Sequence, residues 1–115
     1  MKILLKYKNK KFPLEVKKVN FFGKFIGLMF SRREKALALL FDFEKPTNQA
    51  IHSLFVFFPF VAIWLDENEK IVEIMKIPSW KFLIKPKKKF VRLIEIPVSK
   101  KYSEVIEFLD DVRKI

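Results

Sequence analysis

Few side chains in this chain can do chemistry at neutral pH. Its single histidine, His52, stands beside Ser53 at the entrance to an apolar run. An imidazole titrates near neutrality, so His52 is the natural group for proton transfer or contact with an anion. Activation of Ser53 by its neighbour is disfavoured, because adjacent residues of an extended chain point to opposite faces. One His and no Cys leave no multi-histidine metal site and no thiolate chemistry. His52 and Ser53 are therefore candidate ligand contacts, weighed against hydrogen-bonded packing; no catalytic residue, metal site or cofactor is assigned.

The other candidates are cationic. Arg32 and Arg33 follow the segment GLMF, and a guanidinium can hold a carboxylate or phosphate through two parallel hydrogen bonds. The competing reading is a solvated turn. Trp80 precedes a lysine cluster, Lys85, Lys87, Lys88 and Lys89 around Pro86. An aromatic platform beside a basic loop suits single-stranded nucleic acid, whereas the bland alternative buries the indole in the core.

The net charge is +11, and its placement is uneven: residues 1–35 carry eleven Lys or Arg against two Glu, and the rest thirteen against eleven Asp or Glu. If the N-terminal lysines and the 85–89 cluster meet in space, they form one anion-attracting patch. Solubility and edge-strand protection alone also produce lysine-rich surfaces. The N-terminal sequence MKILLKYKNKK breaks any secretory leader with lysines, which leads us to expect a cytoplasmic protein.

The elements that must position these groups follow from pattern. At 115 residues, half of them hydrophobic and 14 of them Phe, the chain suits a single domain (1–115) with an aromatic core. Segments 3–7 and 12–19 read as an N-terminal hairpin. A short helix is expected near 20–29, weakened by Gly23 and Gly27. Residues 36–43 read as a strand, 45–49 as a loop, 66–70 as a turn, and 71–77 and 90–96 as further strands. Residues 50–65, AIHSLFVFFPFVAIWL, are too short to cross a bilayer and are interrupted by Pro59. Their β-branched and aromatic content predicts two core strands bent at that proline. A C-terminal amphipathic helix is expected near 103–114, with Ser103 at its start and Val105, Ile106, Leu109 and Val112 on one face. Many short strands and little helix predict a mainly β fold, a sandwich or partly closed barrel.

The order GLMF (27–30), LLFDF (39–43), IHSLFVFFP (51–59), WLDENEKIVEI (64–74) and FVRLIEIP (90–97) resembles the family called domain of unknown function 192, over about residues 12–99. The resemblance implies a compact, jelly-roll-like β domain and no established substrate, cofactor or reaction. Family members commonly carry an acid two positions after the proline, where this chain has Val61, and a Gly-Asp turn and strand near the end, where this chain has its helix. A candidate carboxylate is thereby missing.

The sequence thus supports a non-catalytic binding module for an anionic or small ligand. Nucleic-acid or polyanion binding through the N-terminal and 85–89 lysines is a second reading, and an enzyme with a pocket near His52 a third. Either a monomer or a homodimer is compatible, the latter through an exposed strand such as 90–96 or through the terminal helix.

Overall fold

The computed structural model describes residues 1–7, 10–19, 28, 32–53, 56–81 and 83–113. The helix expected near 20–29 lies outside the described residues, save Leu28. The fold is mainly β. Strands β1 (Lys2–Tyr7) and β2 (Lys10–Glu15) form the expected antiparallel hairpin, with Ile3 opposite Leu14 and Leu5 opposite Phe12. A five-stranded sheet contains β3 (Lys17–Lys18), β4 (Leu39–Thr47), β5 (Phe60–Leu65), β6 (Ile71–Ile77) and β7 (Phe90–Pro97), in the order β3-β4-β7-β5-β6. Only the short β3–β4 pairing is parallel. A 3-10 turn, Lys100–Tyr102, leads into helix α1, Ser103–Arg113, as expected. No helix among the described residues is long and apolar enough to cross a membrane.

Alternation along the central strands feeds two cores. Val61, Ile63, Leu65, Ile94 and Ile96 point to one face, where they meet Ile3, Leu5, Leu14 and Val16 of the hairpin and Val105 and Leu109 of α1. Phe60, Ala62, Trp64, Leu93, Leu39 and Phe41 point to the other, where they meet Leu28, Val56, Phe58, Ile77 and Ile84. The sheet is therefore covered by a hairpin and helix on one side and largely by irregular chain on the other. Fully buried Phe or Leu side chains each contribute about 2 kcal/mol by leaving water, and Phe60, Phe90, Leu5, Leu40, Leu65, Leu93 and Leu109 are of this kind.

Three expectations need correction. The run 50–65 is not two strands: only its second half, β5, joins the sheet. In its first half the described backbone makes a single bridge, Ile51 with Ile84, and closes a turn in which Val56 N–H donates to Ser53 C=O. Residues 90–96 do not form an exposed strand available to a dimer partner, because β7 lies between β4 and β5 at the centre of the sheet. The strand expected at 36–43 begins later and runs on through Pro46, with a register shift between Asp42 and Thr47. That irregularity is where a residue without an N–H fits a sheet. Glu44, at φ 64°, takes the left-handed conformation there, its N–H donating to Asp42 Oδ1.

Candidate functional sites on the two sides of the sheet

On the helix side, an open concavity of about 680 Å³ is lined by residues from three separate stretches of chain. Arg33 comes from the turn after β3, Val98 to Lys101 from the end of β7 and the 3-10 turn, and Ser103, Ile106 and Glu107 from α1. The turn holding Arg33 is closed by Lys35 and Ala36 N–H groups donating to Arg32 C=O. Arg33 Nε donates to Val98 C=O at 2.6 Å, which ties the turn to the end of β7. Tyr102 fixes the remaining wall: it is buried, and its hydroxyl accepts from Ala38 N–H at 2.8 Å. Lys101 Nζ lies 5.6 Å from the centre of the Tyr102 ring, within cation–π reach.

The concavity thus gathers three cations, Arg33, Lys100 and Lys101, two carboxylates, Glu34 and Glu107, and the hydroxyl residue Ser103, with Ser99 also in its lining. Ser99 Oγ is shut off from solvent and has no hydrogen-bond partner among the described residues. Arg33 is the one predicted site residue in this lining. Arg32, its neighbour, is exposed and contributes its carbonyl to the turn.

On the opposite side, residues 51–53 run against 81–84. Ile51 and Ile84 exchange both backbone hydrogen bonds, at 2.7 and 2.9 Å. Ser53 then acts as a latch. It is fully buried, its N–H donates to Lys81 C=O, its C=O accepts from Trp80 N–H, its hydroxyl donates to Pro78 C=O at 2.7 Å, and Lys81 N–H donates to Ser53 Oγ at 2.6 Å. The hydroxyl is committed to this structural network. His52 is exposed; the antiparallel bridge at Ile51 and Ile84 places it opposite Leu83. It does not line the concavity.

Trp80 is not in the core. It is 48% exposed, takes φ 62°, and meets Phe57 edge-on with ring centres 5.7 Å apart. Lys85, Lys87, Lys88 and Lys89 are all exposed, while Ile84 and Pro86 are buried. Lys87 N–H donates to Glu73 of β6, which holds the lysine loop over the sheet edge. The hairpin lysines Lys2, Lys6, Lys10 and Lys11 are also exposed, but the hairpin packs on the other side of the sheet. The hairpin and the lysine loop therefore stand on elements that pack on opposite sides of the sheet.

Two further features were not anticipated. Lys100, Lys101, Ser99 and Ser103 complete the Arg33 concavity, and the sequence's only hint was the polar stretch SKKYS between β7 and α1. Glu95 is 6% exposed on β7, where it registers with Leu39 and Ala62. Burial among apolar neighbours pushes its carboxyl up to about 8. Glu95 shares the phase of Leu93 in FVRLIEI, which signals burial only once both faces of the sheet are known to be covered. Val61, where the resemblance led us to look for an acid, is buried in the apolar core shared with the hairpin and α1.

The family comparison extends beyond the five segments read from the sequence. The model of the DUF192 family, described as "Uncharacterized ACR, COG1430", matches residues 3–108. UPF0127 protein PH1112 from Pyrococcus horikoshii is 31% identical over 94 residues, which cover 82% of this chain and 81% of the relative. Among solved structures, a candidate transcription regulator from Sinorhizobium meliloti 1021 superposes with a TM-score of 0.72 at 19% identity, covering 89% of this chain and 81% of that one. A protein of unknown function from Novosphingobium aromaticivorans gives a TM-score of 0.72 at 12% identity, covering 90% and 76%. At these identities the two structures speak to fold alone.

Proposed function

Since the chain belongs to the DUF192 family, whose description names no activity, we propose from its own geometry that it is a single-domain, non-catalytic binding module for a small anionic ligand. The observation that carries this reading is the concavity that brings Arg33 to Lys100 and Lys101 around Ser99. Its volume of about 680 Å³ lies in the usual range for small-molecule sites. Guanidinium and ammonium donors would hold a phosphate or carboxylate, and Glu34 and Glu107 would accept from hydroxyl or amino groups of the same ligand.

The test is a titration with inorganic phosphate and with citrate, followed by backbone amide shifts. Residues 99–103 are expected to respond, and Lys100→Ala to weaken binding by roughly tenfold, the scale of one charge-assisted hydrogen bond. A response spread evenly over all surface lysines, or none at millimolar anion, would sink the proposal.

Polyanion binding through Lys85, Lys87, Lys88 and Lys89 is a second reading, favoured by the exposure of all four and of Trp80. It rests on that loop alone, because the hairpin lysines lie across the sheet.

A further inference from the structure

Six large hydrophobic residues are conspicuously exposed among the described residues, and three of them, Phe57 at 60%, Trp80 at 48% and Leu83 at 70%, belong to the layer latched by Ser53. Phe57 and Trp80 are in ring contact. Along 83–86 exposure alternates, Leu83 and Lys85 facing out and Ile84 and Pro86 facing in, and Lys81 is also exposed. Leu83 is therefore the apolar centre of an outward row with a lysine at either end. Trp80, immediately before that row, holds a φ of 62°, which bulky residues avoid, and its N–H is bonded to Ser53 C=O. Backbone strain of this kind persists where surrounding structure fixes it, and it clusters at ligand-contacting positions.

We propose that this face docks on an anionic lipid bilayer, with Phe57, Trp80 and Leu83 entering the headgroup region and Lys81 and Lys85 contacting anionic headgroups. Charge complementarity chooses the partner's sign, because the row and the adjoining Lys87, Lys88 and Lys89 are cationic. The apolar members choose the bilayer over a nucleic acid. A base can stack on Trp80, but an exposed aliphatic Leu83 has nothing to stack on or hydrogen-bond to, whereas the acyl boundary rewards its burial. Indole and phenyl rings are at home at the membrane interface. Binding at a membrane surface grows with the apolar area buried and with the attraction to anionic lipid, and this face offers both. The proposal is independent of the Arg33 concavity, which lies on the other side of the sheet.

The experiment is flotation of the full chain with vesicles of phosphatidylcholine alone or with about one-third phosphatidylglycerol. Binding is expected only to the anionic vesicles, with release between about 0.05 and about 0.5 M salt as screening shortens. Leu83→Ser should lower the vesicle partition coefficient roughly tenfold and Lys85→Gln roughly fivefold. A blue shift of indole emission on binding should vanish in Trp80→Phe, since Trp64 is already fully buried. Arg33→Ala should leave flotation unchanged, which separates this proposal from the anion site. Absence of binding to anionic vesicles at low salt, or equal binding by Leu83→Ser, overturns it. Tight, Trp80-dependent retention of a single-stranded oligonucleotide without vesicle binding would assign the face to nucleic acid instead.

Discussion

The two sides of the sheet are covered by different means. The hairpin and α1 satisfy their own backbone hydrogen bonds and pack through side chains, Phe12 on Phe108 between the two elements and Leu5 and Leu109 entering one core with the sheet. Among the described residues, the layer built from 51–58 and 78–86 satisfies its backbone largely through single contacts, five of them converging on Ser53. A regular cover tolerates the loss of one polar group, because its ladder remains. An irregular cover concentrates its order in few residues, and the same irregularity lets apolar side chains protrude where a strand would turn every second one inward.

The largest effect expected on this contrast comes from pH. In the folded chain Glu95 releases its proton near 8, and in the unfolded chain near its ordinary 4.5. Between those values the folded chain holds more protons than the unfolded one, so stability declines as pH rises and levels off above about 8. The decline is on the order of 5 kcal/mol in total, read from urea midpoints across that window. Glu95→Gln should flatten the profile; an unchanged slope would show that the carboxyl is not held neutral.

Ser53→Ala should cost about 2 kcal/mol, because Lys81 N–H loses its hydroxyl acceptor and Pro78 C=O its hydroxyl donor. Amide exchange should quicken at Trp80 and Lys81 while the α1 amides keep their protection relative to global stability. Uniform quickening would erase the distinction between the two covers.

Smallest is Tyr102→Phe on the helix side. Ala38 N–H loses its acceptor, for about 1 kcal/mol, and the hairpin and helix contacts persist. A loss as large as that of Ser53→Ala would mean that both covers depend equally on single hydroxyls.

Much of the architecture was legible because it is local. The hairpin follows from two apolar segments separated by lysine and asparagine, and α1 from the spacing of Val105 and Leu109. The turn at 66–70 follows from its acidic opening: Asp66 Oδ1 accepts from Asn68 and Lys70 N–H, and Glu69 takes φ 62°. The first half of 50–65 was misread because its composition is that of a strand, while its hydrogen bonds are decided by a loop some 25 to 33 residues downstream. Distance in sequence hid the concavity too. Arg33 was visible as a cation, but Lys100 and Lys101 join it only because Val98, held by both Arg33 and Pro59, brings the end of β7 to the turn. Glu95 was passed over because an alternating strand gives no sign of which phase faces water when both faces are covered.

The position of β7 has a temporal consequence. β4 and β5 are each made before the strand that joins them, and their inner edges pair with nothing but β7. During synthesis the β5–β6 hairpin can close early, but Phe41, Trp64 and Ile63 wait with incomplete surroundings until residues 90–97 emerge. The middle of the sheet can close only last, so a ribosome that pauses before β7 leaves two unfinished strand edges open to any passing chain.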